Sequence, residues 1–189
     1  MSVENIFIVL EGVDGSGKTT VGKALAQKMD ACFCQTPMGL WRKKRAIVEN
    51  KNSFFRFLFY VVATIHSSII ISRILKNDSV VCDRYIHSTL AHHVVYWNKL
   101  VGRLSPNVFP IKRPHFVFYL YSRVEIRDQR TLQRESNKPK DLDSKSLQQV
   151  HEAFLGFTEI LPIDTSDISV NEVVNLIIEK LQQEKEKFL

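Results

Sequence analysis

Gly12, Gly17, Lys18 and Thr19 fit the spacing G-x-x-x-x-G-K-[ST] without a gap. Each residue type has a task in handling phosphate. Glycines let backbone N–H groups converge on phosphate oxygens, and a helix beginning here adds its positive dipole end. Lys18 has the length to reach β- and γ-phosphates, and the Thr19 hydroxyl suits Mg²⁺. Asp14, Gly15, Ser16 and Thr20 complete the cofactor-binding stretch. A second constellation follows in Val80-Val81-Cys82-Asp83-Arg84-Tyr85, where an acid and a base stand side by side after an apolar run. Asp83 suits the metal or its water shell. Arg84 suits the transferring phosphoryl group or an acceptor phosphate. The plainer alternative is an ordinary surface pair.

The elements around these residues give the motif its context. Ile6-Phe7-Ile8-Val9-Leu10 reads as a buried strand, and Val21, Ala24, Leu25 and Met29 fall at helical spacing over Thr20 to Met29. Strand, glycine loop and helix in that order turn the match into a P-loop. Short apolar runs continue to alternate with helical patterns, which predicts an α/β fold with a parallel sheet. The expected strands are Ala31 to Gln35, Ser79 to Cys82, His115 to Leu120 and Leu161 to Asp164. The expected helices are Trp41 to Asn50, Phe54 to Lys76, His87 to Leu100, Val124 to Arg134, Ser146 to Glu159 and Val170 to Lys185. Glu11, Asp83 and Asp164 then lie at strand ends, where ligands bind on open parallel sheets. One domain over residues 1–189 is expected, with a polar loop at about 135–143.

Composition limits the partners. The chain is 44% hydrophobic and 24% charged, as a soluble globular protein would be. Three cysteines without metal-ligand spacing suit a reduced, cytoplasmic protein. Arg56, His66 and Arg73 interrupt the most membrane-like stretch, Phe54 to Leu75, so a buried core helix is expected there and no membrane partner. The net charge of +6 concentrates in Arg42 to Arg45 and between Lys112 and Lys145, without aromatic interleaving. A polyphosphate explains that better than nucleic acid. For Arg42 to Arg45 a solvated helix face explains it equally well. No strand closes in D-x-x-G and no N-K-x-D is present, which argues against a GTPase.

FIVLEGVDGSGKTT followed by Asp83-Arg84-Tyr85-x-x-Ser88 resembles the thymidylate kinases and their nucleoside and nucleotide monophosphate kinase relatives. The resemblance runs the length of the chain and is strong in those two motifs. It implies a three-layer P-loop fold, with a five-stranded parallel sheet flanked by helices and an arginine-rich lid. It also implies that Asp14 contacts the acceptor sugar, that Asp83 and Arg84 serve metal and phosphate, and that adenine lies against Asp164-Thr165-Ser166. Gly15 and Ser16 bring no arginine into the loop, so the lid must supply the charge. Arg130 and Arg134, four apart on one helix face, suit that catalytic task, with Arg123 and Arg127 nearby.

The departures fall on the acceptor side. Where the family has R-E-P, this chain has Gln35-Thr36-Pro37, and the family's base-reading arginine is replaced by Ala63. The family's A-Y-Q becomes Ala91-His92-His93. Deoxynucleoside kinases offer a second resemblance, through Thr36-Pro37 with Trp41 and through Asp83-Arg84 with Ser88. That family keeps its general base where Thr36 stands, and a phosphate acceptor needs no such base.

The expected activity is therefore transfer of the γ-phosphoryl group of ATP, with Mg²⁺ on Thr19 and Asp83, to a nucleoside monophosphate, dTMP or a related pyrimidine nucleotide. Phosphorylation of a deoxynucleoside or another small hydroxyl compound, and a nucleotide-binding module without activity, are the alternatives. Asp14, Trp41, Phe59, Arg84, Tyr85 and His92 are the expected acceptor contacts. Trp41 packed under a loop is an equal reading of that residue. A homodimer through the apolar helix is possible on the same footing as its burial in the core.

Overall fold

The computed structural model describes residues 5–101, 104–132 and 143–186. Five strands form one parallel sheet: β1 (Phe7–Glu11), β2 (Cys32–Gln35), β3 (Val80–Asp83), β4 (Phe116–Tyr121) and β5 (Ile160–Asp164). Their order is β2-β3-β1-β4-β5, which puts the loop after β1 at the centre of the sheet. The helices are α1 (Lys18–Lys28), α2 (Leu40–Glu49), α3 (Ser53–Ile74), α4 (Ile86–Val101), α5 (Val124–Leu132), α6 (Ser144–Leu155) and α7 (Val170–Glu186).

All five residues of β1 are buried, as a central parallel strand covered on both faces requires. The two-residue period of the strand divides its side chains between two cores. Phe7 and Val9 join Ile71, Leu90, Tyr119, Val150 and Phe154 on the side of α3, α4 and α6. Ile8 and Leu10 join Val21, Leu25, Phe118, Val173 and Ile177 on the side of α1 and α7. Helices on both faces make the three layers that the sequence predicts.

Register positions the chemistry. Leu10 pairs with Asp83, Gln35 pairs with Asp83, and Glu11 pairs with Tyr119. Three strand ends that are distant in sequence thereby open on one edge.

Two expectations about elements change. α3 is not sunk in the core. Val61, Ala63, Thr64, Ser67, Ser68 and Ile71 are buried, whereas Phe54, Phe55, Leu58 and Ile69 are each about half exposed. An apolar sequence does not reveal which face finds a partner. α6 starts at Ser144 and stops at Leu155, earlier than the expected Glu159. Its Asp143 side chain accepts a hydrogen bond from Ser146 N, which caps the first turn. The lid at about 135–143 lies, apart from Asp143, outside the described residues, as does Arg134.

Candidate active site

The β1–α1 loop is shaped by what its glycines exclude. Gly12 has φ +149, and a Cβ there would meet the Leu120 carbonyl oxygen at 2.3 Å. Gly15 has φ +84, and a Cβ would meet Arg127 Cγ at 2.6 Å. Neither place admits a side chain. Gly17 opens α1 in the left-handed region with no side-chain cap. The first N–H groups of the helix are thus left for an anion.

Lys18 is buried and folds back over the loop, with Nζ donating to Val13 O at 2.6 Å and to Ser16 Oγ at 3.3 Å. Burial, and secondarily the charge of Arg84, bring its ammonium down to about 7. Polyphosphate in the cradle would reverse that effect by adding opposite charge. Ser16 is fully buried in the loop, and Thr20 faces outward from the first turn of α1.

Thr19 and Asp83 meet although they are 64 residues apart. Thr19 Oγ1 donates to Asp83 Oδ2 at 2.5 Å, and Gln35 Nε2 donates to the same oxygen at 3.1 Å. Asp83 is fully buried, and its Oδ1 has no hydrogen-bond partner among the described residues. A buried carboxylate oxygen left open beside a threonine hydroxyl fits the oxygen-ligand chemistry of Mg²⁺.

Arg84 follows at φ +69, an uncommon conformation for a residue with a side chain. The turn is held from both sides. Thr36 N donates to Asp83 O at 3.1 Å, and Thr36 Oγ1 donates to Arg84 O at 2.8 Å. The Arg84 guanidinium reaches Asp14 Oδ1 at 2.5 Å and Ser88 Oγ at 3.2 Å. Beneath it, Glu11 is fully buried and accepts from Tyr85 N at 2.8 Å, Ser88 N at 3.2 Å and the Ser88 hydroxyl. Burial raises the Glu11 carboxyl above its ordinary range, opposed by His87, Ser88 and Arg84.

The residues expected to contact an acceptor are largely aromatic. Trp41 and Phe59 pack edge to face at 5.2 Å, with His66 at 6.4 Å from Trp41. His92 Nδ1 lies 2.9 Å from Ser88 O, and burial together with the charge of Arg84 brings its imidazole down to about 3. It is therefore neutral, between α4 and the Arg84 side chain. Arg45 of α2 pairs with Glu49 at 2.9 Å. Burial works against its charge, but Tyr60, Glu49 and Asp14 outweigh that and hold the guanidinium above its ordinary value.

A family profile described as thymidylate kinase matches residues 10–177. The chain belongs to the thymidylate kinase family, whose members are nucleotide kinases. A probable thymidylate kinase of Methanocaldococcus jannaschii is 36% identical over 185 residues, covering 93% of this chain and 95% of that protein. A thymidylate kinase of Coprothermobacter proteolyticus is 32% identical, covering 82% of this chain and 85% of that one. Two solved structures share the fold. Thymidylate kinase from Candida albicans has a TM-score of 0.75 at 16% identity, covering 98% of this chain and 94% of the other. Deoxyadenosine kinase from M. mycoides has a TM-score of 0.65 at 13% identity, covering 94% of this chain and 100% of the other.

Within this thymidylate kinase-family site, some expected residues take other places. Tyr85 is 1% exposed, packs edge to face on Phe7 at 5.3 Å and donates its hydroxyl to Lys112 O at 3.1 Å. It is a core residue, because the positive φ of Arg84 turns the chain back towards the sheet. Ala63 is also fully buried, its carbonyl taken by Ser67 Oγ at 2.7 Å. Arg130 donates to Thr165 O at 2.8 Å and to Thr165 Oγ1 at 3.2 Å. Arg127, expected near the lid arginines, is the arginine packed over Gly15. Gln35, Arg45 and Ser88, which the sequence names only within longer stretches, also interact with residues of the site. For Gln35 the signal was its place at the end of β2, beside the end of β3.

Proposed function

We propose that this chain transfers the γ-phosphoryl group of ATP to thymidine monophosphate or a closely related pyrimidine monophosphate. The observation that carries the reading is the convergence of Lys18, Thr19, Asp83 and Arg84 at one edge of the sheet. Backbone N–H groups from Gly15 to Thr19 hold the donor phosphates, and Lys18 leaves its carbonyl partner for the β- and γ-oxygens. Thr19 and Asp83 hold Mg²⁺, which supplies charge neutralisation when bound. Arg84 aligns the acceptor phosphate and Asp14 takes the acceptor sugar. Trp41, Phe59 and His92 border the acceptor, and Arg45 adds charge on that side. Arg127 and Arg130 bring the charge of α5 to the donor, with Arg134 continuing that helix pattern in sequence. Exclusion of water on closure protects the transfer from hydrolysis.

A monophosphate acceptor is favoured over a nucleoside by Thr36. Its hydroxyl is committed to the Arg84 carbonyl, so no general base stands at that place. An anionic phosphate oxygen needs none.

The outer face of α3 supports a homodimer, since Phe54, Phe55 and Leu58 would be covered by a second copy. Sedimentation of wild type against Leu58→Lys tests that, with a monomeric wild type as the failing result. A cytoplasmic location accords with the three free cysteines.

The deciding experiment measures ATP consumption with Mg²⁺ against a panel of nucleosides and nucleoside monophosphates, with products separated by chromatography. A diphosphate formed from thymidine monophosphate is the expected result. Phosphorylated nucleosides instead would overturn the acceptor assignment.

A further inference from the structure

A cavity of about 620 Å³ lies between the C-terminal half of α3 and the segment leading into β4, away from the phosphate cradle. Four cations border it: Arg73 and Lys76 from the end of α3, and Lys112 and Arg113 from the facing segment. No acidic side chain lines it. Arg113 is engaged with the Asn107 carbonyl at 2.7 Å. Arg73, Lys76 and Lys112 form no ion pair among the described residues. Like charges gathered around one concavity repel each other and raise its attraction for an anion. The segment that carries Lys112 and Arg113 also supplies an apolar wall, built from Phe109, Pro110 and Ile111. A solvated basic surface has no need of such a wall, whereas a pocket for a two-part ligand does.

The same segment contacts the catalytic turn. Lys112 N donates to Ser68 Oγ of α3 at 2.5 Å, and Lys112 O accepts from Tyr85 Oη at 3.1 Å. Tyr85 directly follows Asp83 and Arg84, and its backbone N–H is held by Glu11. The wall of the cavity is thus two hydrogen bonds from the carboxylate that underlies the active site.

We propose that this cavity is an effector site for a small phosphorylated molecule. Its anionic end, of di- or triphosphate character, meets Arg73, Lys76 and Lys112, and its aromatic or aliphatic body lies on Phe109 and Ile111. Occupancy is transmitted through Lys112 and Tyr85 to the turn at Asp83 and Arg84. Binding there is independent of the acceptor reading; only the rate effect rests on it.

The test uses calorimetry on the full chain, with the donor and acceptor sites filled by a nonhydrolysable ATP analogue, Mg²⁺ and thymidine monophosphate. The probes are inorganic tripolyphosphate and dTTP. The expected result is one further equivalent of dTTP bound, more tightly than tripolyphosphate, with affinity lowered about tenfold or more in Arg73→Glu/Lys76→Glu. Arg73→Ala/Lys76→Ala should weaken it less, and the melting temperature and the rate without probe should stay as in wild type. Under assay conditions dTTP should shift the acceptor KM or kcat in wild type more than in the charge-reversed variant. No further equivalent, equal affinity in the variants, or equal binding of the two probes would overturn the site. An unchanged response of the rate would overturn the coupling. Capture by anionic phospholipid vesicles without binding of dTTP would assign the cations to a membrane surface instead. If the donor and acceptor analogues themselves fail to bind, the kinase reading fails, and the difference in probe binding between wild type and the charge-reversed variant still decides the cavity.

Discussion

Arg84 Nη2 and Asp14 Oδ1 stand 2.5 Å apart, joining the turn after β3 to the loop after β1 across the mouth of the site. The register that pairs Leu10 with Asp83 brings those two loops side by side. Arg84 is therefore positioned by an ion pair that substrate can replace. Its removal should cost transfer and little else. Arg84→Ala is expected to lower kcat/KM by about a hundredfold or more, with a melting temperature close to wild type. Wild-type turnover in the variant would remove the assigned role.

The same pair sets a pH dependence. The charge of Arg84 holds the Asp14 carboxyl well below its ordinary 3.8. A depressed carboxyl contributes stability above its unfolded value and loses it as pH falls through the folded one. Asp14→Asn should therefore be less stable than wild type near about pH 6, with the gap narrowing only below about pH 4 and closing as pH falls through the depressed folded value. The Asp14 side chain is 76% exposed, so the difference should be small and should shrink with added salt. Thermal melts across pH at two ionic strengths check this.

Lys18 is held inside the loop by Val13 O and Ser16 Oγ. Lys18→Ala should leave the fold in place and lower kcat by about a hundredfold or more, because the transferring group loses its nearest positive charge. Single-turnover kinetics at saturating ATP separate that loss from weaker donor binding. A variant retaining wild-type kcat would place the transition-state charge elsewhere.

Trp41 packs on Phe59 at 5.2 Å, and the proposed function sets it beside the acceptor. Trp41→Ala should raise the acceptor KM by about tenfold and leave the ATP KM near wild type, since stacking contributes about 1 kcal/mol beyond area. Equal changes in both constants would mean that Trp41 only supports the packing of α2 on α3.

The glycine loop was legible in the chain because it is local. Gly12 to Thr19 is one uninterrupted segment, and the apolar run before it could only be a strand buried on both faces. Asp83 and Arg84 were legible for a related reason, as charged residues directly after an apolar run. The acceptor side was less so. The expectation for Tyr85 came from its place in a motif, but the positive φ of Arg84 sends it into the core. Gln35 and Arg45 carry no motif, and only the sheet order and the packing of α2 bring them near Asp83 and Asp14. α3 reads as apolar on most sides, yet its burial depends on which neighbours the fold supplies.

By itself, then, the sequence determined the parallel α/β architecture, the glycine loop between β1 and α1 and the acid–base pair at the end of β3. Strand periodicity and loop chemistry act over a few residues and need no distant partner. The tertiary structure alone decided that Thr19, Gln35 and Asp83 share one carboxylate, that Thr36 is committed to the Arg84 carbonyl, and that Arg127 lies over Gly15. Those contacts join residues up to 112 apart in the chain (15 to 127), so they exist only once the strand order β2-β3-β1-β4-β5 has brought the loops to one edge.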